Sequence, residues 1–318
     1  MKKYYIKDIL PILKAGSFKI LGEKPDTYFI NIKTTLEGKS DSLVFISPDR
    51  NDKQGLLENT KAGIVIIDGS FEITDSIKND KCILVVADPK KVFATIGNAI
   101  FCNHPPAFGV HPTAYIHPDA KINSKTYIGP FCYVGKVEID EGTIIEGHCH
   151  LYDNTIIGKN VIIKAGAVIG GSGFGFMKDI NNNEVNFPHV GGVIIEENVA
   201  IGSGNCIDRG ALGNTIIRRN AKLDNLVHVA HNVVIGENTY LTASSTIAGS
   251  TSIGDDVFIG PNASVSSGLM IDSDAFITIG SVVTRNVEES SHITGNFAVP
   301  HTTFLNILKK NINEIEGK

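Results

Sequence analysis

His228-Val-Ala-His231 is the segment best suited to proton transfer, with Asp224 and Asn225 shortly before it and Asp208-Arg209-Gly210 further back. A neutral imidazole beside a carboxylate is oriented and becomes a better base. The plain alternative is that both histidines are satisfied surface or interface residues. His148 and His150 form a second close pair, and His189 stands alone. A zinc site could draw on His148, His150, His228 and His231, but their registers differ and no ligand spacing specifies one. The cysteines are Cys82, Cys102, Cys132, Cys149 and Cys206. Their number is odd and none has C-x-x-C spacing, which argues against a disulfide framework or a thiolate zinc site. No metal is therefore assigned.

Residues so dispersed need a scaffold that brings them together, and the spacing of the aliphatic residues supplies one. From Ile217 an aliphatic residue recurs every sixth position: Leu223, Val229, Ile235, Leu241, Ile247, Ile253, Ile259, Val265, Ile271, Ile277 and Val283. Shifted stretches keep the same period, from Val110 to Val134, from Ile139 to Ile169 and from Ile195 to Ile207. A period of six fits neither a helix face nor a hairpin meander. It fits a solenoid of short parallel strands with three faces per coil, about nine coils in all. The residue after each rung is often glycine, as at Gly129, Gly135, Gly158, Gly170, Gly202, Gly236, Gly254 and Gly260, which suggests tight corner geometry. Rungs three apart stack on one face, so Asp208, His228 and His231 can meet.

Around this solenoid the chain divides. Residues 1–101 read as a small α/β domain. Helical spacing at Ile6, Ile9, Leu10 and Leu13 is followed by strand-like runs at Tyr28–Ile32, Leu43–Ser47, Gly63–Asp68 and Cys82–Ala87, then a helix over Pro89–Ile100. A linker at 102–112 carries Pro105, Pro106 and Pro112. The solenoid occupies 113–287. Its period fails across an inserted loop at 170–193, which contains Phe174 and Phe176 between glycines and a polar run, Asp179–Asn183. Such an insertion projects from one face and is usually functional or disordered; two phenylalanines argue against disorder, and the plain alternative is a loop that covers its own coil. The tail, 288–318, has Phe304, Leu305, Leu308, Ile312 and Ile315 at near-helical spacing, a short amphipathic helix.

Composition limits the function classes. The 318 residues include 42% hydrophobic and 20% charged, which excludes a disordered chain. A net charge of −5 gives no support for a nucleic-acid partner. No apolar run approaches the ~20 residues of a membrane span. Lys7, Asp8 and Lys14 interrupt what would be a signal core. The chain reads as a reduced, cytoplasmic protein.

Several motifs resemble those of the UDP-3-O-acylglucosamine N-acyltransferases, the LpxD-like family of hexapeptide-repeat enzymes. They are Gly-Phe-Gly-Phe (173–176), Phe-Pro-His-Val-Gly (187–191), Ile-Asp-Arg-Gly-Ala-Leu (207–212) and Asp-Asn-Leu-Val-His-Val-Ala-His-Asn-Val (224–233). The resemblance implies a left-handed parallel β-helix and a homotrimer with active sites between neighbouring helices. It implies transfer of an acyl group, of the 3-hydroxyacyl type, from a phosphopantetheine thioester to the amine of a nucleotide-linked sugar. His231 would be the general base and Asp208 would orient it or the substrate. Asn225, His228, Phe174, Phe176 and His189 would bind substrate, and Phe45, Ser47, Asp49 and Arg50 the nucleotide. Gly249, Ser267, Gly268 and Arg285 would line the groove for the thioester arm. No cofactor is held permanently; acyl-CoA or acyl carrier protein is the co-substrate, and Arg218, Arg219, Arg285, Lys309 and Lys310 could meet an acidic carrier, the alternative being ordinary solvated surface.

The chain also departs from that family. Pro48 and Asn51 stand where it places an Asn and an aromatic against uracil, Ser172 where it usually has Asp, and Leu269 where a second histidine is expected. These changes lean towards a dTDP-4-amino-4,6-dideoxyhexose acylated from acyl-CoA, as in anthrose-type surface-glycan synthesis. The lipid A reaction with acyl carrier protein is the alternative. Two readings of other classes are a metal-dependent hexapeptide hydratase and a non-catalytic trimeric scaffold.

Overall fold

A computed structural model describes residues 2–13, 18–102, 106–295 and 298–316. Lys14 of the interrupted signal core and Asn103, His104 and Pro105 of the expected linker lie outside these, as does the side chain of Ile315. The chain forms two compact units, 1–105 and 106–318.

In the first unit five strands form one sheet, in the order Phe18–Leu21, Cys82–Val86, Ile64–Ile67, Ser42–Phe45 and Asn31–Ile32. Only the Phe18–Leu21 edge is antiparallel to its neighbour. Continuous apolar runs suit a sheet covered on both faces. Ile64 and Ile66 pack with Ile9, Leu43 and Ile96 on one side, and Val65 and Ile67 with Leu57 and Ile77 on the other. The last helix begins at Pro89, capped by the Asp88 side chain, which accepts from the Lys91 N–H at 2.9 Å. It runs as an α-helix to Gly97 and then widens into a π-turn over Asn98–Cys102. The strand Phe18–Leu21 and the helices Lys53–Asn59 and Asp75–Asp80 carried no period long enough to show in the sequence.

The second unit is a parallel β-helix of three sheets with ten, nine and eight strands. It begins at Gly109–Val110, which already pairs with Tyr127–Ile128 inside the segment read as a linker. Its ladder ends at His292–Ile293 against Phe276–Ile277. From Ile128 to Val283 the rung residues are buried, and the interior is an aliphatic stack in which Ile163, Ile207, Val229 and Ile247 are fully enclosed, whereas Val110 at the open end is exposed.

The corners differ from the glycine expectation. Of the eight glycines named there, only Gly170 has a positive φ. The others are small because the next coil crosses them: a Cβ on Gly129 would lie 2.7 Å from the Gly147 nitrogen, and one on Gly202 2.5 Å from the Asp224 carbonyl carbon. Along the longest uninterrupted run of rungs the left-handed residue comes three positions after the rung. It is Asn220, Leu226, Asn232, Asn238, Ser244, Ser250, Asp256 and Asn262 in unbroken succession. Short polar side chains tolerate this conformation best after glycine.

The inserted segment leaves the coil at a register shift between Ile169 and Gly171, where Val168–Gly171 pairs with Cys206–Asp208, and on its return Thr155–Ile157 pairs directly with Val193–Ile195. Its Phe176–Lys178 and Glu184–Asn186 form an antiparallel hairpin. The polar run makes the turn, with Asp179 Oδ1 accepting from the N–H groups of Asn181 and Asn183. The tail helix spans His301–Glu316, and its Phe304, Leu305, Ile307, Leu308 and Ile312 are all exposed.

Candidate active site

One corner of the β-helix, where the nine-stranded face turns into the eight-stranded one, gathers most of the candidate residues. The insertion departs from this corner after Val168–Gly171, the 209–214 loop follows Cys206–Asp208, and His231 follows His228–Val229. Strand register then repeats every 18 residues, as in Tyr240 opposite Phe258. Gly249, Ser267 and Arg285 therefore follow His231 at the same corner on successive coils. Their backbones are joined by Ser250 N–H to His231 O at 2.9 Å and Gly268 N–H to Gly249 O at 3.0 Å. The residues expected to form a thioester groove thus make a column running from His231, with Ser267, Gly268 and Arg285 exposed to solvent.

His231 is held on three sides. Its Nδ1 lies 3.2 Å from Asn232 Oδ1, and that same oxygen accepts the Ala211 N–H at 2.9 Å. The Ala211 bond identifies the oxygen of the amide, so Nδ1 carries the proton and Nε2 keeps its lone pair. Against the ring lies Gly249, where a Cβ would come within 2.7 Å of Cε1 and Nε2. Across from it His189 packs edge-on, ring centroids 5.3 Å apart. His189 donates from Nδ1 to the Phe187 carbonyl at 2.9 Å, which leaves its Nε2 an acceptor, buried and unpartnered. Gly173 lets this pair approach, since a Cβ there would be 3.0 Å from both rings.

These rings open on a cavity of about 490 Å³ lined by Gly175, Phe176, Met177, Phe187, His189, Ala211, Leu212, His231, Asn232 and Ser250. Its wall is mostly apolar, with two imidazoles and a few hydrogen-bonding groups set into it, the character expected of a small-molecule site. The insertion supplies half the wall and is stitched down by its return strand. Val190 N–H reaches Ala211 O, Gly192 N–H reaches Asn214 Oδ1, and the Arg209 guanidinium donates to Gly170 O at 2.6 Å and Asp153 O at 3.0 Å.

Three expectations change here. Asp208 forms no hydrogen bond with His231; Asn232 orients that ring instead. Asp208 is buried beneath the site, and burial raises its carboxyl above the usual range. The charges of His228, His231 and His189 pull it back, in that order. Phe174 does not line the cavity; it is 81% exposed and packs edge-on to Phe176, which does. Asn225 sits at the preceding corner, where its Oδ1 accepts the Ser203 N–H at 2.8 Å, and so supports the coil rather than the cavity. His228 faces Asp208, Nε2 to Oδ2 being 3.9 Å. His148 and His150 lie in earlier coils, stacked on Phe131 and Tyr133. Sequence reading passed over Asn232, Met177, Phe187, Leu212 and Ser250; Asn232, Phe187 and Leu212 each stood inside one of the family-like motifs, whereas Met177 and Ser250 carried no signal.

In the first unit Phe45, Ser47 and Arg50 line a cavity of about 360 Å³ with Lys33, Thr34, Thr35, Leu36, Ile46 and Leu56. The Phe45 ring is braced by Phe93 at 4.8 Å. Asp49 is outside the lining and faces the Ser47 hydroxyl at 3.5 Å, while Arg50 forms a two-pronged pair with Asp52.

Residues 136–171 and 214–249 match the bacterial transferase hexapeptide (six repeats) family. The chain is 37% identical over 175 residues to the UDP-3-O-acylglucosamine N-acyltransferase of Pseudomonas syringae pv. tomato, covering 49% of this chain and 50% of that one. To the enzyme of the same name from Coxiella burnetii it is 32% identical over 235 residues, 66% of each chain. It therefore spans about half to two thirds of the length of these relatives. Among solved structures, the UDP-N-acetylglucosamine acyltransferase of Francisella novicida superposes with a TM-score of 0.54 at 29% identity, over 59% of this chain and 67% of that one. LpxA from Acinetobacter baumannii gives 0.53 at 26%, over 63% and 77%. The second unit is thus the left-handed parallel β-helix of hexapeptide-repeat proteins, and the chain resembles the UDP-3-O-acylglucosamine N-acyltransferases.

Proposed function

We propose that this protein is a thioester-dependent N-acyltransferase acting on the amine of a UDP-linked glucosamine derivative, with acyl carrier protein as donor. The observation that carries the proposal is the His231 imidazole, its Nδ1 proton fixed by Asn232 and its Nε2 lone pair free beside the 490 Å³ cavity. The names of the relatives favour the UDP sugar over the dTDP-dideoxy sugar and CoA that the altered residues suggested.

The amine attacks the thioester carbonyl with its lone pair and becomes cationic as the C–N bond forms. His231 Nε2 takes that proton, because a neutral imidazole with one protonated nitrogen can accept at the other. The carbonyl oxygen gains negative charge. Among the described residues no acceptor meets the N–H of Gly249, the residue packed against the His231 ring, and it is the candidate oxyanion donor. The C–S bond then breaks, and the imidazolium returns its proton to the departing sulfur. Asp208 supplies a buried negative charge that favours the imidazolium. His189 Nε2 accepts a hydroxyl or amide proton of the substrate, and Phe176, Phe187 and Leu212 exclude water. The column Gly249, Ser267, Gly268 and Arg285 is the proposed path of the pantetheine arm, and the Phe45–Ser47–Arg50 cavity the proposed seat of the nucleotide. Outward aliphatic residues on the eight-stranded face, Ile156, Ile194, Ile216 and Val234, suit burial in a homotrimer.

The test is amine-dependent thiol release with product mass. UDP-3-O-acylglucosamine with 3-hydroxyacyl carrier protein should give sugar-dependent thiol and an amide product. Turnover only with dTDP-4-amino-4,6-dideoxyglucose and 3-hydroxybutyryl-CoA would move the assignment to the glycan branch. Turnover with neither pair would overturn the transfer reading.

A further inference from the structure

On the nine-stranded face the outward side chains stand in register across strands, and two metal-ligating types are direct neighbours: Cys206 is paired with His228. Asp208 lies two residues beyond Cys206, where the alternation of a strand returns the side chain to the same side. One ligand atom from each of Cys206, Asp208 and His228 lies within 4.8 Å of the other two.

Asp208 is only 8% exposed, yet among the described residues no hydrogen bond reaches its carboxylate. His228 Nε2, at 3.9 Å, is beyond hydrogen-bond reach. Arg209, the adjacent cation, commits its guanidinium to the carbonyls of Gly170 and Asp153. The Asp208 side chain keeps 11% exposure, so water reaches its carboxylate, and a cation between it and its two neighbours replaces that water by direct ligation.

We propose that Cys206, Asp208 and His228 bind a thiophilic divalent cation, with zinc the best match and the fourth position left to water. The mixed sulfur, nitrogen and oxygen set suits a borderline-soft ion better than magnesium or calcium, which prefer oxygen alone. Zinc bonds of about 2.0–2.3 Å in a tetrahedron hold ligand atoms roughly 3.3–3.6 Å apart. The 3.9 Å between Asp208 and His228 is close to that span, and all three ligand atoms already lie within 4.8 Å of one another. Cys206 is exposed, so the ion has an approach from solvent. Binding replaces the thiol proton by the metal, releasing it to solvent. None of the three ligands lines the His231 cavity, although Asp208 is shared with the electrostatics of that site, and ion binding needs no acyl substrate.

The experiment uses the full chain, stripped with a chelator and titrated with cobalt(II), then with zinc. One equivalent per chain should produce a thiolate-to-cobalt charge-transfer band that zinc abolishes. Cys206→Ser should remove the band. His228→Ala should weaken zinc binding by at least the roughly 10–100-fold that loss of even an outer-shell partner costs. Cys102→Ser, another exposed cysteine, should leave the titration unchanged, and circular dichroism verifies the fold of each variant. A wild-type chain without a saturable band overturns the proposal. So does a band that survives Cys206→Ser, or zinc affinity unaltered in His228→Ala.

Discussion

Replacing Gly249 with alanine should disable acyl transfer while leaving the coil folded. Gly249 has no positive φ, so alanine suits its backbone conformation. The added Cβ would be 2.7 Å from Cε1 and Nε2 of His231, and 3.2 Å from Cδ2. Non-bonded carbons rest about 3.5–4.0 Å apart, so one partner must move by roughly 0.8–1.3 Å. The ring can turn on its side-chain bonds more readily than the hydrogen-bonded corner can shift, so His231 absorbs the displacement. Overpacking of this kind costs about 1–3 kcal/mol of stability. A base misplaced by about 1 Å loses about 10²-fold in rate, near 2.7 kcal/mol of transition-state stabilisation. Thiol release would measure kcat/KM, and thermal unfolding would show the coil intact. The double variant Gly249→Ala/His231→Ala is the stricter check. If the new methyl acts through the histidine, it adds no further loss once the ring is gone. Gly249→Ala with kcat/KM within about threefold of wild type would refute the packing argument, and full additivity would refute the route through His231.

Three further outcomes follow from the same geometry. His231→Ala should lower kcat by about 10²–10⁴-fold, measured by thiol release, with the secondary structure unchanged by circular dichroism. Phe176→Ala should raise KM for the acceptor or the donor several-fold, whereas Phe174→Ala should do so only weakly, because Phe176 lines the cavity and Phe174 merely packs on it. Steady-state kinetics on both variants distinguishes the two residues. Arg209→Ala should destabilise the junction of insertion and coil by about 1.5–3 kcal/mol for each lost charged hydrogen bond, visible as faster proteolysis of the 170–193 segment.

The coil was legible because its interior accepts little besides aliphatic side chains, and a missed rung would leave a hole against both neighbouring coils. Ile217 through Val283 could therefore be counted without a structure. The site was only half legible. Histidines at a corner announce themselves by type, but their neighbours depend on which coil stacks on which, and the insertion breaks that count. Nothing in the spacing shows that Thr155–Ile157 lies against Val193–Ile195. A second, shorter break hid the opposition of Cys206 and His228, which are not one regular coil apart, because the 209–214 loop lengthens that turn. Phe174 and Phe176 looked equivalent between their glycines; only the hairpin register, Phe176 opposite Asn186, separates them. Asp208 was credited with orienting His231 on chemical grounds, while the nearer oxygen belonged to Asn232, adjacent in the chain.

The left-handed corner residue bears on how such a scaffold acquires new chemistry. Asn232 and Ser250 both occupy that conformation, and both line the cavity. Most corners place a short polar residue or a glycine there to turn, Phe131, His148 and Leu226 being the exceptions, so hydrogen-bonding side chains stand at many corners before any activity exists. A catalytic centre then demands little invention: one histidine beside an amide that was already in place, and one glycine on the next coil to make room. Corners elsewhere in the helix carry the same latent endowment, so an ancestral repeat could gain, lose or relocate activity by a few substitutions while its architecture stayed the same.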